Sequence, residues 1–178
     1  ENQLKVIADS LKPELLCRLS ELYRDISTDE SIKYGEQALQ LIKNGKENKE
    51  MLGKILRNLG EAYYLQWRFK RAIDYYNEEL KLHRDESENE DVVKLLFKLG
   101  NAYNKWNRKR RAISYYERSL EMAKRLDLQF MVLQNYIELY TLYTSTNNNQ
   151  LAANYYDLYV DLYSKLRMPR KDTIKIID

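Results

Sequence analysis

Apolar residues return at spacings of three and four along most of this chain, the spacing that places them on one face of a 3.6-residue helix. Leu56, Leu59 and Tyr63 form one such stripe, and Leu96, Leu99 and Tyr103 form another. Both lie in longer matching stretches: "LRNLGEAYY" at 56–64 comes back as "LFKLGNAYN" at 96–104, forty residues on. A degraded copy, "YIELYTLYT" at 136–144, follows after another forty, and "LCRLSELYR" at 16–24 precedes the first by forty. Gly60 and Gly100 share the apolar face. A glycine inside a helix costs about 1 kcal/mol against alanine, so close approach of another helix is the expected compensation.

A second segment accompanies each of three copies: "RAIDYYNEEL" (71–80), "RAISYYERSL" (111–120) and "LAANYYDLYV" (151–160). Ala72, Tyr76 and Leu80 fall on one helical stripe, as do Ala112, Tyr116 and Leu120. Polar links "LQWRFK" (65–70), "KWNRKR" (105–110) and "STNNNQ" (145–150) separate the two segments, and the run of Asn is the plainest turn signal. Charged stretches at 44–50 and 83–91 separate one pair from the next. The predicted unit is therefore helix, tight turn, helix, charged turn, and such pairs bury their stripes only by stacking. Asp9 or Ser10 is expected to cap the first full helix with Pro13 in its first turn, and Pro169 is expected to stop the last helix. Ile176 and Ile177 stand forty residues after Tyr136 and Ile137, where a fifth unit would begin. The start at Glu1 reads as a processed or excised fragment, and the parent protein is expected to continue past Asp178.

Composition supports helix and narrows the chemistry. The 178 residues are 44% apolar and 32% charged, with only 5 Gly and 2 Pro, which suits a folded, helix-rich chain. The net charge of +3, from 30 basic and 27 acidic groups, does not by itself call for nucleic acid or an anionic membrane. A lone Cys17 excludes an intramolecular disulfide, and a lone His83 excludes a His-rich metal site. His83 reads as a surface residue at a helix C-terminus. No apolar run approaches the roughly 18–20 residues of a membrane span, and no signal-peptide pattern opens the chain. GxGxxG, P-loop, HExxH and GxSxG patterns are all lacking, so no catalytic role and no cofactor is expected.

The repeat resembles the tetratricopeptide (TPR) family, with its pattern W-x2-L-G-x2-Y, then A-x3-F, then P. Leu56, Leu59, Gly60, Tyr63, Ala72 and Tyr76 match it, as do Leu96, Leu99, Gly100, Tyr103, Ala112 and Tyr116. Leu139, Tyr143, Ala152 and Tyr156 match more weakly, with Tyr140 in place of the glycine. Leu16, Leu19, Ser20 and Tyr23 match at the N-terminal end, where the second helix is shifted by one residue and Ser31 replaces alanine. No unit ends in the family's proline. The resemblance implies an all-α, right-handed superhelical α-solenoid of four antiparallel helix pairs. Its expected layout is a lead-in at 1–10, an array at 11–166 with units at about 11–50, 51–90, 91–130 and 131–166, and a tail at 167–178. The period exceeds the usual 34 residues, so helices or turns must be longer. Such long units resemble those of bacterial signalling proteins, and also a eukaryotic set that organises polarity and motor cargo.

The family's function is binding: the first helix of each unit lines a concave groove that takes an extended or helical peptide. Carried over by register, one column holds Cys17, Arg57, Phe97 and Ile137, and the next Glu21, Glu61, Asn101 and Thr141. Flanking columns hold Glu14, Lys54, Lys94 and Gln134, and Arg24, Tyr64, Asn104 and Thr144. The expected binding residues are thus Lys54, Arg57, Glu61, Tyr64, Lys94, Phe97, Asn101, Asn104 and Ile137. Arg57, Lys94 and Phe97 would anchor an acidic or aromatic segment, and Asn101 and Asn104 would bond its backbone. The bland reading is that these residues solvate an exposed face. A carboxylate-clamp variant finds partial matches in Asn58, Lys94 and Lys98, but Cys17 and Glu21 stand where Lys and Asn are required.

Other features read as structure. "KWNRKRR" (105–111) has the basic and aromatic character of a single-strand binder, but is expected to be a charged turn with Trp106 packed across the helix pair, so no nucleic acid is expected. Tyr76, Tyr116 and Tyr156 are expected in the core, with Tyr75, Tyr115 and Tyr155 at its edge. Glu79 occupies a slot where Ala38 and Ser119 are small, which implies looser packing there, and Tyr159 in that slot marks a terminal unit. Cys17 reads as a small filler, with a reactive groove thiol as the alternative. Together these point to a non-catalytic protein- or peptide-binding module, the sensing region of a bacterial signalling protein. It would be cytoplasmic, or alternatively a periplasmic sensor region. A scaffold or adaptor, or the regulatory part of an enzyme, are the alternatives.

Overall fold

A computed structural model of the chain describes residues 2–43, 49–83 and 89–166, with side chains at 11–42, 49–83 and 89–166. The expectations for Pro169, Ile176 and Ile177, and for most of both charged stretches, lie outside the described residues. Eight helices account for nearly all of what is described: α1 (Asn2–Tyr23), α2 (Thr28–Lys43), α3 (Lys49–Leu65), α4 (Phe69–Leu82), α5 (Glu90–Lys105), α6 (Lys109–Arg125), α7 (Gln129–Ser145) and α8 (Asn149–Lys165). No strand occurs among the described residues, and the fold is the all-α helical repeat that the apolar periodicity predicts.

The helices form two compact units, one of Glu1–Ser87 with Asn101–Arg108, the other of Glu88–Gly100 with Lys109–Asp178. In the first, α1 packs on α2, α3 on α4, and α2 and α1 both meet α3. Its core includes Leu16, Ala38, Ile55, Leu56, Leu59, Ala62, Ala72 and Tyr76. In the second, α6 and α8 pack against α7, and Leu95, Leu96, Leu99, Ala112, Tyr116, Leu139 and Leu142 are buried.

The repeated spacing of Gly and Tyr now has a cause. A Cβ on Gly100 would lie 2.5 Å from Cε1 of Tyr116, and one on Gly60 would run into the ring of Tyr76. Each glycine lets the tyrosine of the paired helix lie flush against the backbone, so the close approach is within a pair. In the first pair Ser20 and Ser31 do this work: each hydroxyl donates to the other residue's carbonyl, at 2.8 and 2.6 Å, and both residues are fully buried. Tyr140 stands at the glycine's register in the last pair, and Tyr156 there is 44% exposed. The expectation that Tyr156 joins the core fails because the ring of Tyr140, 5.5 Å away, occupies the space.

Four connections share one geometry. Trp67, Asn107, Asp127 and Asn147 all have left-handed backbone, with φ of 61°, 57°, 54° and 59°. The amide one residue later bonds five residues back, as Arg68 does to Tyr63 at 3.0 Å and Asn148 to Tyr143 at 2.9 Å. The left-handed residue bonds three back, as Trp67 does to Tyr64 at 3.0 Å. This is the Schellman closure of a helix. The links are thus shorter than the six-residue stretches expected. Two 17-residue helices, α6 and α7, joined by three-residue turns, account for the forty-residue period. Pro13 lies inside α1 rather than in a first turn, so Asp9 and Ser10 do not cap that helix.

Candidate functional site

In the first unit α1 and α3 lie side by side and leave a cleft of about 330 Å³ between them. Glu14, Cys17 and Glu21 line it from α1, and Met51, Lys54 and Arg57 from α3. The spacing of three and four that buries Leu16 and Ser20 on one side of α1 turns Glu14 and Glu21 outward, and the same spacing on α3 turns out Lys54 and Arg57. Two predicted register columns, Glu14 with Lys54 and Cys17 with Arg57, therefore meet here, and of a third only Glu21 lines the cleft.

Their charges are largely engaged within the protein. Lys54 pairs with Glu50 at 2.6 Å one turn earlier on α3, both exposed. Arg57 reaches across to α4, where its Nη2 and Nε lie 2.6 and 2.7 Å from Oε1 of Glu79. Glu79 is fully buried, and the Arg57 side chain is 29% exposed. The slot expected to pack loosely instead holds an ion pair, because the carboxylate fills the gap and the guanidinium neutralises it. Glu61 pairs with Arg24, the first residue after α1. Asn58, a clamp candidate, is buried and donates to the carbonyl of Cys17 at 3.3 Å, so its amide faces the protein. Cys17 is buried, and burial followed by the neighbouring Glu21 raises its thiol pKa. It fills space rather than presenting a thiolate.

The remaining predicted residues stand elsewhere. Tyr64 is half-buried with its ring 5.6 Å from Phe69. Lys94 is exposed and pairs with Glu90 at 2.6 Å. Phe97 is half-buried and its ring lies 5.4 Å from Tyr116. Asn101, Asn104 and Ile137 are half-buried on α5 and α7. Thr141 and Thr144 spend their hydroxyls on α7 carbonyls four residues back, both at 2.9 Å. Sequence reasoning missed the partner of Arg57. The signal was present: Arg57 and Glu79 occupy the register positions that hold Phe97 and Ser119 one repeat later.

Among the described residues no group of three or more His, Cys, Asp or Glu side chains is placed to hold a metal ion. No described helix is long and apolar enough to cross a membrane. Paired amphipathic helices with polar outward positions define a helical-repeat protein of the kind that presents an interaction surface. Two tetratricopeptide repeat family models match residues 13–85 and 93–125, and the chain belongs to the tetratricopeptide repeat family. No curated protein matches the sequence significantly. Among solved structures, BtubC (BKLC) from P. vanneervenii is similar with a TM-score of 0.77 at 19% identity, over 98% of this chain and 79% of that one. MamA is similar with a TM-score of 0.72 at 19% identity, over 93% and 86% of the two chains. A Rap protein complexed with Competence and Sporulation Factor gives 0.71 at 17% identity, over 86% of this chain but 43% of that one. At these identities the likeness is one of fold.

Proposed function

We propose that this chain is a non-catalytic module that binds a protein or peptide and forms the partner-sensing region of a bacterial signal-transduction protein. The observation that carries the reading is the α1–α3 cleft, where outward positions of two successive first helices come together. Lys54 is exposed at its rim and Arg57 is partly so. Lys94, Phe97, Asn101, Asn104 and Ile137, on α5 and α7, are the further candidate positions. The solved Rap complex supports a peptide as the partner class. Because Arg57 and Lys94 are engaged by carboxylates, an acidic ligand must displace or share those partners, whereas Phe97 offers an aromatic edge without that cost. A cytoplasmic location fits this reading.

Selecting peptides from a random display library on the purified chain tests it. Lys54→Ala and Phe97→Ala are expected to weaken the selected peptides by about tenfold, the equivalent of roughly 1.4 kcal/mol, while circular dichroism stays unchanged. Affinity indifferent to both substitutions sinks the assignment.

A further inference from the structure

A second cleft of about 330 Å³ opens in the first unit at the turn between α3 and α4, with Trp67, Arg68, Phe69, Lys70, Arg71 and Trp106 on its walls. Tyr63 completes the lining, and no acidic residue takes part. It shares no residue with the α1–α3 cleft.

Three observations distinguish it. First, Arg68, Lys70 and Arg71 make no ion pair among the described residues, whereas Lys54, Arg57 and Lys94 are each paired with a carboxylate. The guanidinium of Arg108 adds further positive charge, lying 5.0 Å from the centre of the Trp106 ring. Second, Trp67 is 73% exposed, so burial does not account for it. Third, Trp67 has φ 61° at a position where the three equivalent turns use Asn or Asp, the residues that tolerate left-handed backbone. A bulky side chain there carries backbone strain, and the ring it meets is that of Phe69, 5.8 Å away on the wall of the same cleft; such outliers point to a surface role.

We propose that this cleft docks a short acidic peptide segment bearing one aromatic or large aliphatic side chain. Its carboxylates pair with Arg68, Lys70 and Arg71, and its apolar residue lies against the indole rings. Arginine suits carboxylates through paired N–H donors, and tryptophan supplies large contact area with little entropy to lose. The cations cluster around one turn instead of following a track, which fits a compact motif better than a nucleic-acid strand.

Trp67 and Trp106 are the only 2 tryptophans in the chain, so intrinsic fluorescence reports directly on the cleft. The probes are a Glu- and Asp-rich peptide with a single Phe and no Trp, its Lys-for-Glu counterpart, and oligothymidylate. The acidic peptide is expected to give a saturable fluorescence change that weakens as salt is raised. Arg68→Ser with Arg71→Ser is expected to weaken it at least about tenfold. Trp67→Asn suits the backbone, so its urea midpoint should stay level or rise while affinity, followed by calorimetry, falls by a similar factor. Lys54→Ala should bind the probe normally, which separates this cleft from the one between α1 and α3. Absence of saturable binding, equal binding of the Lys peptide, tighter binding of oligothymidylate, or full affinity in Trp67→Asn each overturns the proposal.

Discussion

The pairing of Arg57 with Glu79 shows how one residue's role depends on a partner 22 positions away. Read alone, Arg57 is a cation on an outward column; in the fold it holds a fully buried carboxylate. Removing the arginine would leave that charge uncompensated, so Arg57→Ala should cost about 3–5 kcal/mol in urea unfolding. The repeat itself supplies the rescue. Arg57→Phe with Glu79→Ser installs the residues found one period later at 97 and 119, and should return stability to within about 1 kcal/mol of the parent or above it, since apolar replacements of buried ion pairs are often neutral or stabilising. A double variant as unstable as Arg57→Ala would show that the two register positions are not equivalent. Because Arg57 has this structural duty, binding losses on its substitution say little about ligand contact.

At the scale of elements, the glycine registers and the Schellman turns set how closely and how sharply helices meet. Gly100→Ala improves helix propensity by about 1 kcal/mol, yet its methyl would overlap the ring of Tyr116. Overpacking of this kind costs about 1–3 kcal/mol, so thermal unfolding should show net destabilisation, relieved in part when Tyr116→Leu takes the ring away. A neutral Gly100→Ala would mean that the ring moves freely. The turns were legible only in part. "STNNNQ" announces itself through Asn, and Asn148 does cap α8 by accepting from the amide of Leu151. None of the four turns carries a glycine, and "LQWRFK" lacks Asn and Asp as well, so its left-handed residue, Trp67, does not stand out in sequence.

For the molecule as a whole, the tyrosines tie stability to pH. Burial first, then bonds to Glu36 and Glu117 respectively, push the phenols of Tyr63 and Tyr143 up to about 12. Tyr76 is raised further by burial. A folded-state pKa above the unfolded value of about 10 means that the native state holds its protons more tightly. This stabilisation is complete below about pH 10 and is lost as pH rises toward about 12. Melting temperatures should therefore be level from pH 8 to 10 and fall steeply above, with the absorbance of the last phenolates growing in step with unfolding. All 16 tyrosines ionising near pH 10 without loss of helix would contradict the buried assignment. Tyr63→Phe and Tyr143→Phe should each soften the fall.

The sequence alone determined the helical class, the forty-residue period and the repeat family, because these follow from local spacing: 3.6 residues per turn and a pattern written four times. Equally legible were the buried Tyr76 and Tyr116. Only tertiary structure decided which outward residues are available to a partner. Availability is a property of pairs, and the pairs are remote in sequence: Arg57 with Glu79, Asn58 with Cys17, Arg24 with Glu61. It also decided that Tyr140 displaces Tyr156. Two residues competing for one space cannot be recognised until the helices that carry them are set side by side.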